Sequence, residues 1–401
     1  MKNVLLLGNG FDISFGLPTK YTDFVLVIRY LIMNENHLPE EVSLILEQAG
    51  VDCIVDYAVD QIIAPNDVRQ LISFSKKNMW IKYFIHLMSL DTNHQLWLDF
   101  EQEMSKINHL FKISIEKSLN DRQGVISVSL KDRNTPENTE LYKFVTLFEE
   151  FFDPYNNRIG VSWACRFKEI YMIDATTLNP DLIIHRLYNE YLDLSRLLQL
   201  YLHHFVDIPI QNNVSFFKNI YNHKYDAINS VLSFNYTHTF ELVDDIGTHI
   251  KHLHGELKDG KLDNNIVLGY DEDVRNSTDT RWLRFKKYYQ RTYCKTSELL
   301  SEFKAELQNT HDIELLIIGF SFGKIDSDIL MNIIDLVDRI YVYCHKPDVE
   351  HDYIENIIKS YGGSEYIRLQ TDKHLSFLVG NSELEDYLGK IRLKRLINNV
   401  R

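Results

Sequence analysis

Val4-Leu5-Leu6-Leu7 runs directly into Gly8-Asn9-Gly10-Phe11-Asp12. Four apolar residues bounded by glycine read as a buried strand, too short for a helix. A Gly-x-Gly turn after such a strand lets backbone approach a ligand with no side chain in the way. A helix that follows would offer free N–H groups and a dipole suited to phosphate. The first dozen residues are therefore a candidate nucleotide site, with an ordinary strand-to-helix turn as the alternative. A dinucleotide fingerprint would place a third glycine at position 13, where Ile13 stands.

The chain has 401 residues, 45% hydrophobic and 25% charged, enough for two domains or one domain with a large insertion. Its net charge of −14 argues against broad nucleic-acid binding, which draws on excess Lys and Arg. Cys53, Cys165, Cys294 and Cys344 form no CxxC pair, against a zinc ribbon or a disulfide framework. The N-terminal apolar run is too short for a signal peptide. The most apolar stretch, Phe24 to Met33, contains Arg29 and falls short of the roughly 20 residues of a membrane span. A reduced, cytoplasmic setting without membrane contact is expected.

The two ends read as α/β and the middle as helical. Trp97, Phe100, Met104, Ile107 and Phe111 form one helical stripe. Ile184, Leu187, Tyr191, Leu194, Leu198, Tyr201 and Phe205 form a second, both read as core. The polar run 131–140 reads as a surface loop. From Ser230 onward short strands are expected at 231–234, 250–253, 266–268, 315–318, 340–343 and 366–369, with helices around 281–309 and 326–338. Strands alternating with helices imply a mostly parallel sheet, which the first strand must join. The expected fold is α/β, a Rossmann-like doubly wound sheet with a large helical insertion after the first βα unit. The sheet domain comprises 1–20 plus 226–401 and the insertion 21–225.

In such sheets ligands bind at the C-terminal ends of strands. Four polar strand ends occur here: 8–12, Ser233-Phe234-Asn235-Tyr236-Thr237, His252-Leu253-His254-Gly255-Glu256, and Gly319-Phe320-Ser321-Phe322-Gly323 followed by Asp326 and Asp328. His252 and His254 share a strand face but lack a third ligand at a recognised spacing, so no metal is expected. Asn235 alone also reads as a turn residue, and Asp326 as a helix N-cap. Glu101 reads as a solvated helix residue, with a carboxylate reaching toward the pocket as the alternative. Arg284, Lys287, Arg291 and Lys295 lie at helical spacing. That stripe is either a solvated face or a phosphate or nucleic-acid contact, with Trp282 and Tyr288 available for stacking. The basic C-terminus (Lys390, Arg392, Lys394, Arg395, Arg401) reads as solvent-facing or as an oligomer contact. Asp271-Glu272-Asp273, the tight acidic cluster a metal-dependent nuclease would need, reads as a loop.

The blocks 8–12 and Gly16-Leu17-Pro18-Thr19-Lys20-Tyr21 resemble the start of the AbiH family of bacterial phage abortive-infection proteins. Trp97-Leu98-Asp99-Phe100-Glu101, 233–237, 252–255 and Ile318-Gly319-Phe320-Ser321 resemble its later blocks, in order. More distantly, the chain resembles the sirtuin-like NAD-binding fold of phage-defence NADases. That resemblance implies NAD as substrate or ligand. It implies cofactor contacts from Gly8, Asn9, Gly10, Phe11, Asp12, Gly255, Gly319, Ser321 and Asp326, and catalysis by Asn235 and His254. Thr237 stands where the related pattern has an acid, and the sirtuin zinc module is absent. NAD hydrolysis is thus the expectation, a non-catalytic NAD or ADP-ribose sensor the alternative, and a nuclease a third reading. Cleavage of the nicotinamide–ribose bond passes through an oxocarbenium-like centre. An amide could orient ribose or water, and an imidazole titrating near ~6.5 could act as base. A phage-derived trigger or regulatory partner and self-association are expected, because unchecked NAD loss would kill the host.

Overall fold

The structure is a computed structural model. It describes residues 2–53, 58, 60–90, 100–129, 131–132, 134–155, 161–220, 225–244, 250–258, 265–270, 279–308, 310–323 and 326–400. Trp97, Leu98, Asp99 and the Asp271-Glu272-Asp273 cluster lie outside the described residues. The chain divides into two compact units, 1–73 with 195–271 and 287–401, and 74–194 with 272–286. Residues 21–73 and 195–225, assigned from sequence to the insertion, thus group with the sheet.

The first unit is built on a six-stranded sheet. Its strands are β1 (Lys2–Leu7), β5 (Ser230–Ser233), β6 (Ile250–His252), β7 (Ile313–Ile318), β8 (Arg339–Cys344) and β9 (Ser376–Val379). They lie in the order β6-β5-β1-β7-β8-β9, and every neighbouring pair is parallel. β1 is central and β7 is buried along its whole length, as expected for strands covered on both faces. On one face Val4, Leu6, Leu315, Ile317, Ile340 and Val342 pack with apolar residues of helices Thr296–Leu307, Ser327–Ile334, Pro347–Tyr361 and Gly363–Asp372. On the other, the ring of Tyr387 in helix Gly380–Val400 lies tilted against Tyr341, centroids 4.4 Å apart, and its hydroxyl donates to Glu314.

Two expected strands are absent. Tyr366–Leu369 lies inside the helix Gly363–Asp372: Leu369 is buried and Ile367 exposed, a helical face that four residues cannot distinguish from alternation. The sixth strand is instead β9, seven residues further on. Residues 266–268 are buried but pair with no strand among the described residues. Val267 N–H donates to the His254 carbonyl, and its own carbonyl accepts from the Tyr236 hydroxyl.

The second unit carries a small antiparallel sheet, β2 (Val125–Ser129), β4 (Val161–Phe167) and β3 (Phe152–Pro154), in the order β2-β4-β3, unforeseen in the sequence. Phe111 meets Phe144, Phe148 and Phe151 edge-on in its core. The run 131–140 is not wholly loop: a helix, Pro136–Leu147, starts within it, capped by Thr135 with proline at its first position. The helical stripes are buried where described, from Phe100 to Phe111 and from Ile184 to Phe205. Glu101 is buried, not solvated. All four cysteines are free, and no described helix is long and apolar enough to cross a membrane.

The β1–β7 register places the glycine turns against each other. Gly8 N–H donates to Ile318 O at 2.9 Å and Gly10 N–H to Gly319 O at 2.8 Å. A Cβ on Gly319 would meet Phe11 N at 2.2 Å, and Gly319 has φ +69°. Gly319→Ala is therefore expected to cost about 2–4 kcal/mol, from overpacking plus a left-handed backbone. Gly389, exposed in a helix with nothing near its Cβ position, is expected to gain about 0.5–1 kcal/mol as alanine. Denaturant melts of both variants check the contrast.

Candidate functional site

Because Leu7 pairs with Ser233 and Ile318, and Ser233 with His252, the polar strand ends fall in one row at the C-terminal edge of the sheet. The structure thus brings 8–12, 234–237, 253–256 and 319–322 to one edge, as expected from the sequence.

The local roles differ from the expectation. The close approach that Gly8 and Gly10 permit is to Gly319: a Cβ on Gly8 would meet Gly319 O at 2.5 Å and one on Gly10 its Cα at 2.7 Å. The N–H groups of Gly8, Gly10 and Phe11 are all bonded within the protein, and helix Gly10–Ser14 is a single turn. A phosphate held on these donors does not fit. Asn9 turns its amide to the Thr19 carbonyl, 3.2 Å away. Phe11 is buried between Phe15 and Phe240. Gly255, at φ +85°, passes so close to Asn265 that a Cβ would sit 2.0 Å from its carbonyl oxygen.

Asp12 is 1% exposed. One carboxylate oxygen accepts from the Thr237 hydroxyl, which in turn accepts from Thr239. The other has no partner. Burial pushes this carboxyl up to about 7, against the Thr237 hydrogen bond that favours its ionised form. Asn235 donates from Nδ2 to Gly8 O at 3.1 Å, and its own Oδ1 is unpartnered. The Asn235 backbone is pinned on both sides, its N–H by Ser233 Oγ and its carbonyl by His252 Nδ1 at 2.8 Å.

His254 is fully enclosed, edge-on to Phe234 at 4.9 Å. Its Nε2 lies 2.9 Å from Asp326 Oδ1 without hydrogen-bond alignment. Burial holds the imidazole below its ordinary value, so it is neutral. Asp326 starts helix Ser327–Ile334 but makes no side-chain cap. Its carboxylate instead meets Lys287 Nζ at 2.9 Å. Burial opposes its charge, but the Lys287 ammonium and the close contact with the His254 ring hold it far below the usual carboxylate range. With His254 neutral, the ammonium is the counter-charge. Asp326 thus holds the N-cap position expected of it, but its carboxylate is engaged by Lys287 and does not cap the helix.

The basic stripe is divided. Lys287 and Arg291 are buried, on Asp326 and Asp328 respectively, so neither a solvated face nor an open phosphate clamp describes them. Arg284 stacks on Tyr188, and Lys295 is exposed. Ser321 is exposed, with its carbonyl accepting from Asn356. At the C-terminus, Arg392 and Arg395 bond Asp226 and Lys394 bonds Glu314, contacts within the chain.

Nothing local in the chain indicated that Thr237 meets Asp12 or that Lys287 meets Asp326, since 225 and 39 residues separate the partners. It also hid a second pair. His238 Nδ1 donates to Asp207 Oδ2 at 2.7 Å, and His252 Nε2 meets Glu241 Oε1 at 2.6 Å. Burial disfavours charge on both rings, but the carboxylates outweigh it, raising His252 and pushing His238 up to about 9. The repeat His238-x-x-Glu241 and His252-x-x-x-Glu256 was the available signal. His252 therefore turns toward Glu241, away from the surroundings of His254.

The family model described as Bacteriophage abortive infection AbiH matches residues 4–345. No curated protein and no solved structure matches the chain.

Asp12 makes stability depend on pH with a definite sign. The folded state keeps the Asp12 proton up to about pH 7, whereas the unfolded chain releases it near 3.8. Its contribution therefore falls as pH rises through that window and levels off above it. Asp12→Asn retains an acceptor for Thr237 and carries no charge. It is expected to melt above the parent at about pH 8, with the gap closing toward pH 4. Melting curves across that range check it, and a pH-independent gap would count against the ionisation.

Proposed function

We propose a biochemical activity for this chain, which belongs to the bacteriophage abortive-infection AbiH family and so has a role in abortive infection. It hydrolyses NAD at the nicotinamide–ribose bond, depleting the cofactor during infection. The observation that carries this reading is the pair of buried, unpartnered oxygens on one sheet edge, Asp12 Oδ1 and Asn235 Oδ1, on the same edge as the buried His254 imidazole. A buried polar group needs a hydrogen-bond partner, and a polar ligand or water on that edge would supply one to both. The strand order supports a dinucleotide: counted along the chain within this sheet it is 3-2-1-4-5-6, that of doubly wound nucleotide-binding sheets.

In the proposed reaction the ribose C1′–nicotinamide N bond breaks and its electron pair stays on the pyridine ring, which leaves neutral. Water adds to C1′, and His254, neutral in its buried setting, takes the water proton. The Asn235 amide oxygen orients the water or ribose. Asp12, bonded to Thr237, puts a carboxyl beside the position where the related pattern carries its acid.

Purified protein incubated with NAD is expected to release nicotinamide, followed by chromatography. Asn235→Ala and His254→Ala are expected to lower the rate about 100-fold or more with the fold retained. The acid limb of the pH–rate profile should lie below the ordinary imidazole value of 6.5, because burial lowers His254. No release by the parent, even with phage lysate, would overturn hydrolysis. Thermal stabilisation by NAD without release would point to the sensor instead.

A further inference from the structure

We propose that His238, His252 and Glu256 bind a divalent transition-metal ion of the zinc type. One donor atom from each of the three lies within 4.8 Å of the others, close enough for a single ion to reach all of them after small side-chain shifts. The residues come from separate segments: His238 precedes helix Thr239–Val243, His252 ends β6, and Glu256 follows the Gly255 turn.

The hydrogen bonds around the rings assign the ligand atoms. His252 Nδ1 faces the Asn235 carbonyl at 2.8 Å, and a carbonyl only accepts, so the Nδ1 proton is fixed there. His238 Nδ1 faces the buried Asp207 carboxylate at 2.7 Å. Metal-bound histidines are held in this way, donating from one nitrogen to a carboxylate or backbone carbonyl so that the other meets the ion. Nε2 is thereby the donor on both rings. His238 Nε2 lies 4.0 Å from Glu256 Oε2. His252 Nε2 holds a proton against Glu241 Oε1, the place an ion would take.

Two imidazoles with a carboxylate suit zinc and its neighbours. Calcium and magnesium favour all-oxygen sites, and there is no thiolate in the set. Asp207, Glu241 and Glu256 around two rings supply the negative charge that a dication would balance. His238 is one-quarter exposed and Glu256 nearly half, so the site is open to exchange on one side. Three protein ligands leave room for a water. The sequence concealed this set because His252 was paired with its neighbour His254, whose ring turns instead to Phe234 and Asp326.

Zinc uptake is measured without nucleotide, so this proposal and the NAD reading fail independently. Full-length protein stripped with chelator, re-equilibrated with buffered Zn²⁺ and gel-filtered is expected to retain about one zinc per chain by elemental analysis. Co²⁺ in its place is expected to give ligand-field absorption of a four- or five-coordinate site. Glu256→Gln, at a partly exposed position, is expected to weaken zinc binding about 10- to 100-fold or more while melting like the parent in chelator; His238→Gln is expected to weaken it as much but to melt lower, because it leaves the buried Asp207 carboxylate without its cation. A parent that stays zinc-free, or folded variants with unchanged zinc affinity, would overturn the site.

Discussion

Everything at the functional edge depends on the contact between two glycine turns. Gly8 and Gly10 after β1 press against Gly319 after β7, backbone on backbone, with two hydrogen bonds across the seam. No side chain fits in that space. The seam sets where helix Gly10–Ser14 begins and so where Asp12 meets Thr237. Through Gly8 O it also anchors the Asn235 amide. A turn that looks from sequence like a cradle for a ligand is first a joint between the two halves of the sheet.

On either side of that seam the charges separate. Beside β5 and β6 lie Asp12, Asp207, Glu241 and Glu256, with His238 against Asp207 and His252 against Glu241. Beside β7 the buried cations Lys287 and Arg291 answer Asp326 and Asp328. Burying such ions costs several kcal/mol each and is repaid only with close partners, so these pairs are weak evidence for stability. Their effect is on chemistry: the same burial that leaves Asp12 protonated near neutral pH keeps His254 neutral. An acid and a base with such shifted ionisation on one sheet edge are what general acid–base chemistry requires, and they motivate the proposed reaction.

Legibility followed the range of the forces involved. Val4–Leu7, Leu315–Ile318 and Ile340–Tyr343 were readable as strands because each is an apolar run ended by polar residues or glycine. The stripe from Phe100 to Phe111 was readable because its period is helical. Tyr366–Leu369 was not, since four residues fit either period and the helix around them decided the matter. β2 and β4 were missed because their partner lies some forty residues away and their alternation is weak. At the site, the four polar strand ends were legible as positions. The contacts of those side chains were not: Ser321 faces out, Asp326 is taken by Lys287, and His252 belongs with His238 and Glu241.

The sequence by itself determined that the main sheet is parallel, five of its six strands, and which strand ends carry polar residues. These follow from local periodicity and from the need to cover both faces of a parallel sheet. Tertiary structure alone decided which groups lose their water and which partners they then find. Ionisation and ligand geometry depend on burial and on contacts a few ångströms long between residues far apart in the chain, as Asp12 and Thr237 are at 225 positions. The opening Gly8-Asn9-Gly10 turn shows the division: its glycines announce a close approach, and only the fold says that Gly319 makes it.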